Sequence, residues 1–405
     1  MMELYADLQK RGIIAQATQE DSVRKLIDAG KAIFYIGFDA TASSLHVGHL
    51  IQFIMINRLQ SAGNKPIILL GTGTTLIGDP TGKTDMRKML SKEEIDHNAD
   101  CFLTQMGRYI DKDRATFVKN GDWLCTLGYL DLLKEVGTHF SVNRMLTADC
   151  VKTRLERGLS FLEFNYVVMQ SYDFLHLNRH YGCNLQLGGD DQWSNIIGGV
   201  ELVRRIEQKE AFGLTFTLLT TSDGKKMGKT EKGALWLDEN KLPVYDFYQY
   251  WRNIEDPKVH ECLKLLTAIP VEEIEASGQD INHYKERLAF EVTKIVHGEQ
   301  AATTAMETAK AIFAGDMTTQ EMPQLVLTLK DFNSAGELEL QAALVKFGAA
   351  ASKSDARRLI EQKAIKINNE EVNDPAHKLQ LRSLKTGDLI VKKGKKVFFR
   401  LVLKD

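Results

Sequence analysis

The sequence predicts an α/β protein: a parallel sheet with helices on its faces, then a mostly helical stretch, then a small α+β domain at the C-terminus. Three observations lead there. Residues 32–70 read as strand, helix and strand, a βαβ unit that implies a parallel sheet. Strand, helix and polar loop go on alternating to about Phe216. From residue 338 onward the pattern shifts to a helix and short strands with Lys, Gly and Asn turns.

Taken in order, Ala32–Phe38 is a short apolar run closed by Gly37 and Asp39. Gly48–Ala62 places apolar residues at helical spacing and stops at Gly63, a residue suited to the position just past a helix. Pro66–Leu70 is continuously apolar, as buried parallel strands are. Ser91-Lys-Glu-Glu94 and Ser160-Phe-Leu-Glu163 match the capping box, so helices start there. Cys183–Leu187 reads as a strand, Gly188-Gly189 as a turn and Gln192–Ile206 as a helix. Thr220–Gly233 is a polar, Gly- and Lys-rich loop, Pro243–Ala314 is mostly helical, and Thr318–Ser334 reads as a connector. A helix over Ser354–Gln362 opens the final segment. The 405 residues suit two to four domains at about 100–200 residues each. The boundaries fall at 1–235 for the sheet domain, 243–320 for the helical part, 321–337 for a linker and 338–405 for the C-terminal domain.

Composition excludes several classes. Apolar residues make up 43% and charged residues 26%, which rules out a wholly disordered chain, a coiled coil or a collagen-like repeat. The longest apolar runs, such as Ile67–Leu70 and Val167–Met169, are far too short to span a bilayer. Met1–Glu20 mixes charges of both signs and shows no signal or transit pattern. The 5 cysteines lie at wide spacings with no zinc-ligand pattern, which suits reduced thiols in a cytoplasm and no tightly bound metal. Charge is uneven. Residues 337–405 carry 15 Lys and Arg against 9 Asp and Glu, net +6, whereas the whole chain is net −2 and the remainder therefore −8. A basic tail on an acidic body suits a polyanionic partner as well as it suits a solvated surface.

Five constellations could carry chemistry. Leu45-His46-Val47-Gly48-His49 follows a strand and opens a helix, where free N–H groups and the dipole attract anions. Its two histidines share a helix face and could donate to phosphate oxygens; Ser43 or Ser44 could cap the helix, and Gly48 would let a ligand approach the backbone. Lys225-Lys226-Met227-Gly228-Lys229-Thr230 would clamp phosphates, although a Lys-rich turn is usually only solvated. Gly78-Asp-Pro-Thr-Gly82-Lys83-Thr84 lacks the glycine spacing of a P-loop. Tyr166, Gln170 and Asp173 form one polar stripe on a helix, either facing water or lining a pocket. Gln186-Leu-Gly-Gly189-Asp-Asp191-Gln192-Trp193 turns a strand into a helix, with Asp191 placed for a ribose or for a cap.

These residues resemble the class I aminoacyl-tRNA synthetases. HVGH is similar to their HIGH signature and KMGKT to KMSKS. Tyr35-Ile-Gly-Phe-Asp-Ala-Thr41, Gly78-Asp-Pro80, Asn165–Asp173 and GGDDQW resemble the bacterial tyrosyl branch, and the C-terminal region resembles the small RNA-binding domain that ends those enzymes. The resemblance implies a Rossmann-like catalytic domain with inserted dimer-interface helices, and an anticodon-side helical domain. It implies activation of L-tyrosine with ATP, carried with magnesium, and transfer of the tyrosyl group to the tRNA for tyrosine, by a cytoplasmic homodimer with tRNA crossing subunits. It places the tyrosine phenol on Tyr35 and Asp173, the α-ammonium on Asp79, Tyr166 and Gln170, and Gln192 near the carboxylate. Gly37, Asp39, Gly48, Gly189 and Asp191 would meet the nucleotide; Thr41, His46, His49, Lys83, Arg87, Lys226, Lys229 and Thr230 would surround the phosphates. Ala40 stands where the family usually has Pro, and Gly228 where KMSKS has Ser. Alternatives are a tryptophanyl synthetase with the same signatures, an HxGH nucleotidyltransferase, and a non-catalytic RNA-binding relative.

Overall fold

The computed structural model describes residues 3–79, 90–147, 151–152, 155, 158–230, 233–276, 280–314, 324–368, 370–394 and 397–404. They form two compact units, one of Met1–Leu242 with Trp251–Val296, the other of Pro243–Tyr250 with His297–Asp405. The segment expected as one helical part, 243–320, is thus divided between them.

The first unit is built on strands β1 (Ile14–Ala17), β2 (Ile33–Phe38), β3 (Lys65–Leu70), β4 (Thr116–Lys119), β5 (Leu185–Gly189) and β6 (Phe212–Phe216). Their order is β1-β6-β5-β2-β3-β4. All neighbours are parallel except β1, which closes the edge antiparallel to β6. The chain leaves β2 for β3 on one side and comes back to β5 on the other, so β2 and β5 flank the switch point where α/β sheets bind ligands. The inner strands bury nearly every residue, which explains their unbroken apolar sequence. Helix Leu50–Ser61 buries residues all round, and Gly63 beyond it takes φ +93°.

Both capping boxes form, at Ser91 with Glu94 and at Ser160 with Glu163. The second caps only Phe161–Phe164; the long helix starts afresh at Tyr166 and runs to Tyr181. Gly188-Gly189 is a strand end rather than the expected turn, pairing with Thr215 and Phe216. Close packing explains it: a Cβ on Gly189 would lie 2.6 Å from Leu218. The Thr220–Gly233 loop contains a short hairpin, β7 (Lys229–Thr230) with β8 (Gly233–Ala234). No helix among the described residues is long and apolar enough to cross a membrane.

In the second unit, helix Glu299–Ala314 precedes β9 (Gln324–Leu327), β10 (Glu337–Glu339), β11 (Ile365–Ile367), β12 (Glu370–Glu371), β13 (Lys378–Gln380), β14 (Leu389–Lys393) and β15 (Val397–Leu403). Five of them form a sheet ordered β12-β11-β14-β15-β9, and β10 pairs with β13. β9 falls inside the stretch expected as a linker. It lies parallel to β15 and buries Leu325 and Leu327, a period-2 pattern that a Pro-containing, polar surrounding conceals. Among the described residues, the buried core of this part runs from Leu325 to Leu401, with Leu403 packed against it.

Candidate active site

The site lies at the carboxyl ends of β2 and β5. Gly37 is the one exposed residue of β2, and a Cβ there would touch only Leu69, at 3.7 Å, so the strand offers bare backbone to a ligand. Asp39 follows β2, and Thr41, exposed, donates its backbone N–H to the Asp39 carbonyl. Asp190 and Asp191 follow β5. Asp190 is structural, accepting from Gln16 Nε2 at 2.7 Å and Thr215 Oγ1 at 2.9 Å. Asp191 accepts from Lys226 Nζ at 2.6 Å.

The two signature segments meet. Val47 N donates to Leu235 O and Leu237 N to Leu45 O, each at 2.9 Å. Gly228 takes φ +116° and packs so that a Cβ would lie 3.1 Å from His46 Nδ1; a serine, usual at this place in KMSKS, would be strained and crowded. The side chains of Lys229 and Thr230 are outside the described set, as are Lys83 and Arg87.

Of the candidate caps Ser43 and Ser44, neither takes the place; His46 does. Its Nδ1 accepts from Gly48 N at 3.0 Å, and its own N–H points to His49 Nδ1 at 3.1 Å. Ser44 instead is buried, with its hydroxyl donating to the Leu45 carbonyl. Gly48 is required by this cap, since a Cβ would stand 2.8 Å from the His46 ring. An accepting Nδ1 places the His46 proton on Nε2. Burial, and then His46, push the His49 pKa down to about 3. His49 is therefore neutral at neutral pH and serves as an N–H donor rather than a cation.

The stripe on the Tyr166–Tyr181 helix faces inward. Tyr166 OH donates to Asp39 Oδ2 at 3.3 Å. Asp79 Oδ2 accepts from Gln192 Nε2 at 2.8 Å, and Gln192 Oε1 from Asn195 at 3.0 Å. Asp173 is buried, accepting from Asn120 Nδ2 at 2.9 Å and Trp123 Nε1 at 2.8 Å. Burial drives its pKa up to about 7 against those two donors, and Asp39 adds to the rise. Burial first and then Asp173 push the Tyr35 phenol well above its ordinary value. Tyr35 OH, Gln170 Oε1 and Gln186 Oε1 are buried with no hydrogen-bond partner among the described residues, as a pocket shaped for a polar ligand requires.

Sequence reasoning missed four polar residues of this cluster: Thr74, Asn120, Trp123 and Gln186. Only Gln186 carries a local signal, a lone polar residue in an apolar strand, in register with Tyr35. The other three come from the short helices after β3 and β4, Thr74–Ile77 and Gly121–Leu124 with Asn120 at its cap, and reach the site through topology alone.

Comparison with known proteins identifies the family. The sequence model of the family "tRNA synthetases class I (W and Y)" matches residues 28–314, and that of the "Tyrosine--tRNA ligase SYY-like C-terminal domain" matches 317–401. Curated tyrosine–tRNA ligases of Acetivibrio thermocellus and Clostridium kluyveri are each 53% identical over 100% of both chains. The solved structure of a C-terminally truncated mitochondrial tyrosyl-tRNA synthetase from Aspergillus nidulans is 28% identical, with a TM-score of 0.68, covering 77% of this chain and 94% of that one. A tryptophanyl-tRNA synthetase from Encephalitozoon cuniculi, 14% identical with a TM-score of 0.55, shares the fold.

Proposed function

The chain belongs to the class I aminoacyl-tRNA synthetases, within them to the tyrosine–tRNA ligases, and from that premise we propose how its residues divide the work. The reaction joins L-tyrosine to ATP as tyrosyl-adenylate with release of pyrophosphate, then passes the tyrosyl group to the 3′-terminal adenosine of the tRNA. The similarity to a tryptophanyl enzyme is one of fold, and the full-length relatives are tyrosine enzymes.

Asp173 and Tyr35 receive the phenol; the observation that carries this is a buried carboxylate with a buried hydroxyl that has no partner among the described residues. Tyr166, Gln170 and Asp79 hold the α-ammonium, and Gln192, already bonded to Asp79, lies toward the carboxylate. Asp39, Asp191 and the Gly189 backbone take the ribose side, against bare backbone at Gly37. The attacking carboxylate is already an anion, so no general base is needed. Rate comes from holding it in line with the α-phosphorus and from donors on the developing charge. His46 and His49 supply N–H groups there without adding positive charge. The cationic help comes from Lys226, Lys229, Lys83 and Arg87, with Thr41 and Thr230 beside them, and from magnesium carried by the ATP. ATP–pyrophosphate exchange with each amino acid in turn tests the assignment: tyrosine alone should support it, and exchange driven by tryptophan would sink it.

Lys226→Ala should slow single-turnover adenylate formation about 100-fold, the scale of losing one preorganised donor. The tyrosine dissociation constant should hold within about twofold, because Lys226 sits at the nucleotide side. A weakened tyrosine affinity with an unchanged rate would refute the role.

The active form we infer is a cytoplasmic homodimer. Leu130 and Phe161 are 67% and 69% exposed, and Tyr129, Val142, Leu155 and Leu162 are exposed in the same stretch of chain; large apolar side chains gathered at the surface mark an interface. Leu130→Asp with Phe161→Asp should halve the mass seen by sedimentation and abolish charging, if tRNA bound on one subunit is served by the other. A variant still dimeric at micromolar concentration would place the interface elsewhere.

A further inference from the structure

Asp39 and Asp173, assigned above to the nucleotide side and the phenol, are joined through two uncharged side chains. Asn120, wholly buried, donates from Nδ2 both to Asp173 Oδ2 at 2.9 Å and to Thr74 Oγ1 at 3.1 Å. Its amide cannot be reversed, because Oδ1 accepts from Gly73 N at 2.7 Å. Thr74 Oγ1 accepts from Asn120, so its single proton goes to Asp39 Oδ1 at 3.0 Å. The direction of every bond is therefore fixed. The packing admits no slack at Gly71, where a Cβ would fall 2.3 Å from Asp39 Oδ1 and 2.6 Å from Thr74 Oγ1.

We propose that Asn120 and Thr74 are positioning residues that couple the phenol end of the site to the nucleotide end, so that the tyrosine hydroxyl tightens ATP binding. When a phenol donates to Asp173, that carboxylate draws less on Asn120. The other N–H of the same amide then bonds Thr74 more strongly, and the Thr74 hydroxyl, better supplied, bonds Asp39 more strongly. Asp39, half-buried, is thereby held in place before the nucleotide arrives, which lowers the ordering cost of binding. By linkage the effect is reciprocal: ATP tightens tyrosine by the same factor. Phenylalanine cannot start the relay, so discrimination would operate in the activation step as well as in binding.

The inference rests on Asp173 reading the phenol, and the experiment separates the two. Dissociation constants for tyrosine and phenylalanine are measured with and without saturating α,β-methylene-ATP. Wild-type protein should bind tyrosine at least about fivefold tighter with the analogue, at the lower end of typical allosteric coupling. Phenylalanine should change by less than about twofold. Thr74→Val, which keeps the shape and removes both hydrogen-bonding roles, should erase the coupling for tyrosine, and Thr74→Ser should restore it. Equal coupling for both amino acids in the wild type, or full coupling in Thr74→Val, overturns the relay; the first comparison needs no variant to fold. Asp173→Ala, measured without analogue, tests the premise. An unchanged tyrosine-to-phenylalanine affinity ratio removes the premise and the relay together, whereas a collapsed ratio with coupling intact in Thr74→Val removes the relay alone.

Discussion

Asp173→Ala lowers the preference for tyrosine over phenylalanine by at least about 100-fold, measured as the ratio of kcat/KM in pyrophosphate exchange. Two effects add. An ionised acceptor bonded to the phenol is worth roughly 1.5–3 kcal/mol, and a buried carboxylate facing a phenyl ring would forfeit a partner at similar cost. Alanine removes the gain and the penalty, so tyrosine use falls steeply while phenylalanine use falls little. The pKa of about 7 adds a pH signature. Burial raises it, so Asp173 in the free protein is mostly protonated below that value and ionised above it. Wild-type kcat/KM for tyrosine should rise as pH climbs through about 7, and the rise should be absent in Asp173→Ala. A ratio unchanged within about twofold, or a rise that survives the substitution, shows that some other group reads the phenol.

Deleting residues 317–405 leaves pyrophosphate exchange within about threefold of the intact protein and lowers tRNA charging by two orders of magnitude or more, the scale on which losing a handful of phosphate contacts acts. The deleted part holds its own apolar core between Leu325 and Leu401 and carries the basic excess, while every residue assigned to activation precedes it. Charging by the full chain should also weaken steeply with salt. Equal loss of exchange and charging on deletion would mean that the tail supports the active site rather than the RNA.

The parts of the molecule legible in the sequence are those fixed by local rules. The βαβ unit showed in its periodicity, both Ser–Glu boxes in their spacing, and HVGH and KMGKT in their residue types. What stayed hidden depends on partners far along the chain. The cap at His46 replaced a serine cap because the imidazole Nδ1 reaches the Gly48 amide, a contact no propensity encodes. Gly188 and Gly189 looked like a turn because glycine usually punctuates; here it allows Leu218 to close against β5. Asn120 and Trp123 carry no local signal; they follow β4 and reach Asp173 only through the fold. The stripe Tyr166–Gln170–Asp173 was ambiguous between water and pocket, since a helix face does not say what covers it. His49 read as a donor to phosphate, but its charge was not legible: burial, with His46 beside it, keeps it neutral.

The antiparallel edge of the main sheet has a consequence for how the chain acquires its shape. β1 ends at Ala17, yet its partner β6 begins at Phe212. During synthesis the first strand therefore emerges long before the strand it must join, and its unpaired N–H and C=O groups wait in water while the parallel strands assemble. Contacts of such long range form late and slowly, because the intervening loop must close before any of them is gained. A ribosome paused before Phe212 would hold a chain with β2, β3 and the signature histidines already made but one sheet edge open, the kind of edge on which nascent chains aggregate.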